Sequence, residues 1–227
     1  RLVEEKGRLV GLAGARISAM LDRDGRALGG KKMSDAEAIR RRPGGFLVSF
    51  ERRHRIWFYP GDDPHKSLPQ ALAAPPGLGR APRNGGLEAL TPLPGGGLLA
   101  LTEGLSVPGG LRGWHHDGQN WRALVYRTTG QFKPTDLAAL PGGGVMVLER
   151  RYTPLGGPAA RLQIIAGITP GLPLAGREIA IMTLPLTVDN MEGLAVVPNS
   201  GGLAVYLLSD DNFNPLQRTL LLKFELV

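Results

Sequence analysis

The chain has 227 residues, 42% of them hydrophobic, with 33 Gly, 19 Pro and no Cys, which excludes disulfides, thiolate metal sites and a cysteine nucleophile. A formal charge of +7 comes from the first 60 residues, where 14 Lys and Arg face 7 Asp and Glu, while residues 61–227 balance 13 against 13. No apolar run approaches the roughly 20 residues that a membrane-spanning helix needs, and the glycines and prolines sit between apolar runs, the pattern of turn-rich β structure rather than disorder.

Residues 1–17 read as two strands around Glu5-Lys6-Gly7, followed by a polar loop to Lys32. Asp35–Arg42 reads as one helical turn at most, and strands follow at Phe46–Phe50 and Arg55–Tyr59. The Pro-rich stretch from Pro60 to Pro82 is expected to be a surface connector. Further strands are expected near Leu87–Leu90 and Leu98–Leu101, then at Leu111–His115 and Trp121–Tyr126 across the hairpin signal Asp117-Gly118. Outer strands follow at Arg161–Ala166 and Glu178–Leu184, then a hairpin of Leu194–Val197 and Leu203–Leu208, and a last strand within Arg218–Val227.

One pattern recurs four times: an acid, a short strand, a Pro/Gly turn, a second strand and a second acid. The leading acids are Glu37, Glu88, Asp136 and Glu192, spaced 51, 48 and 56 residues apart. The trailing acids are Glu51, Glu103, Glu149 and Asp210, which follow by 14, 15, 13 and 18 residues. Periods near fifty residues built of short strands and Gly-rich turns are the signature of propeller blades. The fold expected is an all-β β-propeller in one domain over residues 1–227. Four blade repeats are readable, and residues 1–17 form a half-blade whose inner half is missing. That places at least five blades in the complete protein, with an N-terminal part lacking from this chain.

In a propeller the innermost strand of each blade lines the central channel, so acids just before those strands collect at one mouth. Glu37, Glu88, Asp136 and Glu192 are expected to converge there, with Asp189, Asn190, Asp210 and Asn212 nearby. Crowded carboxylates need a compensating cation or basic partner, and hard oxygen ligands suit Ca2+ or Mg2+. The alternative use of each acid is to accept backbone N–H groups of the next blade, or to pair with an arginine and set blade registration. The metal candidates are therefore Glu37, Glu88, Asp136, Asp189 and Glu192, and the catalytic candidates are Glu192, Asp210 and Asp211. Arg52, Arg53, Arg150 and Arg151 follow two of the trailing acids and have the fork geometry for a phosphate or carboxylate; Asn212 and Asn214 join them as substrate-binding candidates. The four histidines lack ligand spacing, no Gly-x-Ser-x-Gly elbow occurs, and the triple-glycine runs are hairpin turns rather than phosphate loops. The basic N-terminal quarter has no stacking aromatic series beside it, so no nucleic-acid partner is expected.

Several segments together resemble a known family. They are Asp35-Ala36-Glu37, Asn84-Gly85-Gly86-Leu87-Glu88-Ala89-Leu90, Phe132-Lys133-Pro134-Thr135-Asp136 and Leu148-Glu149-Arg150-Arg151-Tyr152. The most specific are Asp189-Asn190-Met191-Glu192-Gly193-Leu194-Ala195 and the run from Leu208-Ser209-Asp210-Asp211-Asn212-Phe213-Asn214 to Thr219. The chain is similar in these to the bacterial "esterase-like activity of phytase" family. That resemblance implies a β-propeller, periplasmic or secreted, hydrolysing a phosphate or simple ester; a small anionic ester substrate, a monomer and no organic cofactor are expected. The other reading is a non-catalytic propeller that binds a ligand or protein in the bacterial envelope. One departure is Ala38, where the family pattern carries Gly.

Overall fold

The computed structural model describes residues 2–169 and 171–226; the ends of the first and last expected strands, Arg1 and Val227, lie outside them. The strands are β1 (Leu2–Glu5), β2 (Arg8–Leu12), β3 (Ala36–Arg42), β4 (Gly45–Phe50), β5 (Arg55–Pro60), β6 (Gln70–Leu72), β7 (Leu87–Pro92), β8 (Leu98–Val107) and β9 (Gly110–His116). They continue with β10 (Trp121–Tyr126), β11 (Lys133–Ala139), β12 (Val145–Thr153), β13 (Gly157–Ile165), β14 (Arg177–Thr183), β15 (Met191–Asn199), β16 (Gly202–Ser209) and β17 (Leu221–Leu226). They form four antiparallel meander sheets in a ring, β3 to β6, β7 to β10, β11 to β14 and β15 to β17, plus the two-stranded sheet β1–β2. The molecule is a β-propeller, and its sheets are numbered below as blades one to four.

Two local expectations are corrected. Ala36–Arg42 has the composition of a helix, yet it is the inner strand of blade one, and the only helical turn nearby is α1 (Lys31–Ser34). Pairing with β4 from Ala36↔Phe50 to Arg42↔Gly45 outweighs the modest intrinsic preference of Ala, Glu and Arg. The stretch from Pro60 to Pro82 is more than a connector. Within it β6 pairs with β5 as the outer edge of blade one, a place where flanking prolines interrupt no further ladder.

The turns follow from glycine where the expectation placed it. In the β11–β12 hairpin, Gly143 and Gly144 adopt φ of 92° and 79°, and a Cβ on Gly144 would lie 2.5 Å from the Ile165 carbonyl oxygen. No other residue type fits that conformation and that approach.

Apolar side chains fill the space between successive blades. Leu47, Ile56 and Leu78 of blade one and its connection meet Leu90, Ala100 and Trp114 of blade two. Leu99, Leu101 and Tyr126 meet Leu137, Val147 and Ile165 of blade three, and Leu148, Ala160 and Met182 meet Met191, Leu194 and Leu207 of blade four. Each such fully buried large side chain contributes roughly 1.5–3 kcal/mol, so the order of the blades is set by these three seams. The inner strands pack together in the same order, β3 on β7, β7 on β11 and β11 on β15. The junction of β15 with β3 has no comparable packing; a cleft of about 650 Å³ opens there between walls that include Ile39, Val197 and Leu208. The β1–β2 sheet lies against blade four, where Glu4 accepts hydrogen bonds from Tyr206 Oη at 3.0 Å and Lys223 Nζ at 2.9 Å. Among the described residues no helix is long and apolar enough to cross a membrane.

Candidate functional site: an acidic channel mouth

Each inner strand carries one β-bulge near its start. The register jumps between Ala36 and Ala38, between Leu87 and Ala89, between Pro134 and Asp136, and between Met191 and Gly193. The unpaired residues are therefore Glu37, Glu88, Thr135 and Glu192. A bulge re-aims its side chain and increases local twist, which turns three of these four side chains into the channel mouth. The residues after the bulge pair with Ser49, Leu101, Leu148 and Leu208. Two positions further along lie Glu51, Glu103, Arg150 and Asp210.

This register corrects the acid repeat in blade three. Asp136 and Glu149 are each one residue away from the positions that Glu88 and Glu103 hold in blade two. The residues of blade three that occupy the mouth positions are Thr135 and Arg150. The leading acids also sit inside the inner strands rather than just before them.

A cavity of about 780 Å³ occupies the mouth and takes residues from three blades as carboxylates and from the fourth as a cation. Asp35, Glu37, Glu51, Glu88, Glu103, Glu192 and Asp210 line it with Arg52, Arg150, Asn84 and Asn212; the fully exposed Phe213 stands at its rim. Of the sequence candidates the structure thus brings together Glu37, Glu88, Glu192, Asp210, Arg52, Arg150 and Asn212. Asp35, Glu51 and Glu103 belong with them. The last two are trailing acids of the sequence repeat, and Asp35 opens the Asp35-Ala36-Glu37 segment that carries the resemblance, although its place in the mouth shows only in space.

The mouth carboxyls are electrostatically unequal. Burial, then the charges of Glu51 and Asp35, pushes Glu37 up from 4.5 to about 7. Glu88 is pushed far above the usual carboxylate range by burial, by its hydrogen bond with Glu51 and by the charge of Glu37. Burial opposes ionisation of Glu51 too, but the bonds from Glu88 and from the Gly86 and Gly85 N–H groups hold it below its ordinary value. Burial raises Glu192, against the pull of Arg150 and Asn190. At neutral pH the mouth therefore places a protonated carboxyl, Glu88, in hydrogen-bond contact with an ionised one, Glu51. Opposite environments for touching carboxyls are how acid and base roles are assigned in hydrolytic sites.

Arg150 is the built-in counter-charge. Its Nη1 donates to Asn190 Oδ1 at 2.9 Å and its Nη2 to Glu103 Oε1 at 3.3 Å, while Nε lies 3.7 Å from Glu192 Oε1. Arg52 pairs with Asp35. A cation could also be held on the blade-one side, where one carboxylate oxygen each of Asp35, Glu37 and Glu51 lie within 4.8 Å of one another. An all-oxygen donor set fits Ca2+ or Mg2+ and not the softer metals.

The mouth residues also join the blades. Glu51 Oε1 accepts from the Gly86 N–H at 3.0 Å and from Gly85 N–H. A Cβ on Gly86 would come within 2.4 Å of the His54 ring, so a larger residue there would displace that ring. Glu103 lies 3.9 Å from Lys133 Nζ, and Arg150 bonds Asn190. In all three cases the trailing residue of one blade reaches the residue two before the bulge of the next.

The other candidates lie elsewhere. Asp136 is buried and pairs with Arg40, which reaches it from the inner strand of blade one, and it accepts the Leu194 N–H at 2.7 Å and the Leu137 N–H at 2.9 Å. Glu149 has no exposed surface; it accepts from Tyr126 Oη at 3.0 Å, Arg161 Nε at 2.6 Å and Gln163 Nε2 at 2.7 Å. Asp189 is buried, its oxygens taken by the Arg218 N–H and Nε, both at 3.2 Å, and by the Asn190 N–H at 3.0 Å. Asp211 folds its own loop, accepting the Phe213 N–H and Thr219 Oγ1, both at 2.9 Å. Arg53 is exposed and contacts Met33 Sδ at 3.1 Å. Arg151 stacks on Phe132 with its guanidinium 4.6 Å from the ring centre, and with Asn214 it lines a separate side cavity.

Comparison with known proteins agrees with the residues that carry the resemblance. No curated protein matches the chain. A family model described as esterase-like activity of phytase, however, matches residues 2–213, a span that takes in blades one to three, the first two strands of blade four, the mouth carboxylates and Arg150, and on that match the chain belongs to the phytase-like family.

Proposed function

We propose that the channel mouth is the active site of a phytase-like or esterase-like hydrolase that cleaves a phosphate or carboxylic ester. The observation that carries this reading is the gathering of Glu51, Glu88, Glu103, Glu192 and Asp210 around one cavity with Arg52 and Arg150. In that arrangement Glu88 is the proton donor to the leaving oxygen. Glu192 and Asp210, on the facing blade, are the groups that accept a proton from an attacking water. Arg52 and Arg150 hold the developing negative charge. Asp35, Glu37 and Glu51 are the residues that would hold a Ca2+ or Mg2+ ion, which supplies charge neutralisation and polarisation of a bound oxygen. The reading extends to an exported, periplasmic or secreted setting, as the family resemblance implies.

Turnover of chromogenic phosphate and carboxylic esters tests it. Glu88→Gln keeps the shape of the protonated carboxyl but cannot release a proton, so kcat falls at least a hundredfold, the low end of general acid–base catalysis. Removal of divalent cations with a chelator lowers turnover further, and added Ca2+ or Mg2+ restores it. Full activity in Glu88→Gln would sink the assignment. The non-catalytic reading draws on a different observation, the engagement of Glu51 by the next blade, and it expects no turnover on any ester.

A further inference from the structure

The junction of blade four with blade one stays open where the other three seams are filled, and its walls are apolar. Blade four turns Leu194, Val205 and Leu207 onto blade three. Strand side chains alternate faces, so Ala195, Val197 and Leu208, with Leu221 paired to Leu208, line the cleft of about 650 Å³ instead. Ile39 of β3 lines it from blade one. Ile39, Val197 and Leu208 are about half exposed. A ligand that removes this surface from water gains free energy with each apolar group it covers.

The polar groups along the cleft are engaged within the protein. Arg40 gives Nε and Nη2 to the Leu137 carbonyl at 2.9 and 2.6 Å and Nη1 to the Ile39 carbonyl at 2.9 Å, and it pairs with Asp136. Tyr206 donates to Glu4 at 3.0 Å. Ser209 Oγ donates to the Arg218 carbonyl at 2.6 Å and accepts the Leu220 N–H at 2.7 Å. Glu37, Glu192 and Asp210 line both this cleft and the mouth cavity, so the two spaces are continuous. The cleft is an apolar groove of the size of a small-molecule site, ending on carboxyls of the mouth. It suits a ligand with hydrocarbon at one end and its reacting group at the other.

We propose that this cleft binds the acyl chain of a carboxylic ester whose carbonyl lies in the mouth. The proposal rests on the hydrolase reading for the word ester; the cleft itself is a claim about apolar ligands. Glu88, the proton donor to the leaving oxygen, lies on blade two, whereas the cleft opens beside Glu192 and Asp210. The chain it holds is therefore on the acyl side of the scissile bond. That favours a carboxylic ester over a phosphate monoester, which carries its only organic group on the leaving oxygen.

Two measurements test it. The neutral dye N-phenyl-1-naphthylamine, which fluoresces in apolar surroundings, is titrated into the protein and into Val197→Glu, Ile39→Gln and Glu88→Gln, with octanol as competitor. In parallel, kcat/KM is measured for the p-nitrophenyl esters of acetic, butyric and octanoic acid. The expected result is saturable dye binding that octanol displaces, weakened tenfold or more in Val197→Glu and Ile39→Gln and retained in Glu88→Gln. For the esters, kcat/KM rises about two- to fourfold with each added methylene, the upper figure being full burial. The rise is lost in Val197→Glu while turnover of the acetate is unchanged. The two substituted side chains are half exposed and stand on facing walls, so each guards against a folding defect in the other. Absence of saturable dye binding, or binding untouched by both substitutions, overturns the apolar site. So does a concentration-dependent dimer that Val197→Glu dissociates, since a second copy would then cover the cleft. A flat chain-length series overturns the acyl assignment. Dye binding without turnover of any ester removes the hydrolase reading and keeps the apolar site; turnover without dye binding or chain-length dependence does the reverse.

Discussion

Blades two and three are written almost alike and are used differently. Blade two runs from Glu88 through Pro94-Gly95-Gly96-Gly97 to Glu103, and blade three from Asp136 through Pro141-Gly142-Gly143-Gly144 to Glu149. Yet the bulge of blade two falls on Glu88 and that of blade three on Thr135. Because strand side chains alternate faces, a displacement of one residue moves an acid to the other side of its sheet. Glu88 and Glu103 stay in the mouth. Asp136 goes to Arg40, and Glu149 goes to Arg161 and Gln163 of its own blade and to Tyr126 of blade two. Thr135 and Arg150 take the vacated positions, so the mouth is an incomplete ring of acids with a cation in the gap.

The largest test of that difference is stability. Glu149→Ala leaves the Arg161 guanidinium, only 7% exposed, with no carboxylate but the half-exposed Glu178 at 3.7 Å. Breaking a buried pair from one side costs about 3–5 kcal/mol. Glu103→Ala, at the apparently equivalent place in blade two, removes contacts to Arg150 and Lys133 that are open to water, and costs about 1 kcal/mol or less. Urea unfolding of both variants measures the gap. Equal losses would show that the two acids share one environment, against the register described above.

The sequence carried the propeller well and the mouth only in part. Blade order, the Gly-rich hairpins and the set Glu37, Glu88 and Glu192 follow from a repeat whose period is enforced by strand length and turn chemistry. The bulge is invisible at that level, since it is defined by pairing with another strand. Asp136 therefore looked like Glu88 when it is placed like Ala89. The Ala36–Arg42 strand was hidden for a related reason, as its ladder partner rather than its own composition decides its conformation. The role of Glu51 as acceptor for Gly85 and Gly86 needed the next blade in place.

A second test uses pH. Glu37 has an ordinary value of 4.5 and about 7 in the folded protein, and Glu88 and Glu192 are raised as well. A raised carboxyl keeps its proton in the folded state after the unfolded chain has released its own. Its stabilising contribution is fully present below about 4.5 and is lost as pH rises through the folded value. With divalent cations chelated, the melting temperature is therefore expected to fall between about pH 4.5 and 7. His115, whose value is lowered mainly by burial, favours stability in the opposite direction as pH rises toward its ordinary range. The informative quantity is thus the difference between the protein and Glu37→Gln. That variant flattens the decline by the Glu37 share; Asp136 is raised as well, mainly by burial, so Asp136→Asn removes a separate share and leaves that of Glu37 in place. An identical slope in the protein and in Glu37→Gln would place the raised carboxyl elsewhere.

The smallest expected effect concerns the joints between blades. Glu51 meets two backbone N–H groups of blade two, and Arg150 meets the Asn190 side chain of blade four at 2.9 Å. Glu103 meets blade three through Arg150 Nη2 at 3.3 Å and through Lys133, at 3.9 Å and with the lysine 52% exposed. An ion pair of that length in water is worth between nothing and about 1 kcal/mol, less at high salt. Lys133→Ala should accordingly shift unfolding by no more than about 0.5 kcal/mol, with the shift vanishing in 0.5 M salt, a concentration of order enough to screen it. Asn190→Ala, which frees Arg150 Nη1 and also removes the Asn190 Nδ2 bonds to Glu192 and the Asp210 carbonyl, should cost about 1–3 kcal/mol because charge-assisted bonds inside the mouth are stronger. If both substitutions cost the same, the joints are equivalent and the arginine in blade three has no special hold on blade four. If they differ as stated, Arg150 both completes the mouth and, with Asn190, fastens blade four to it.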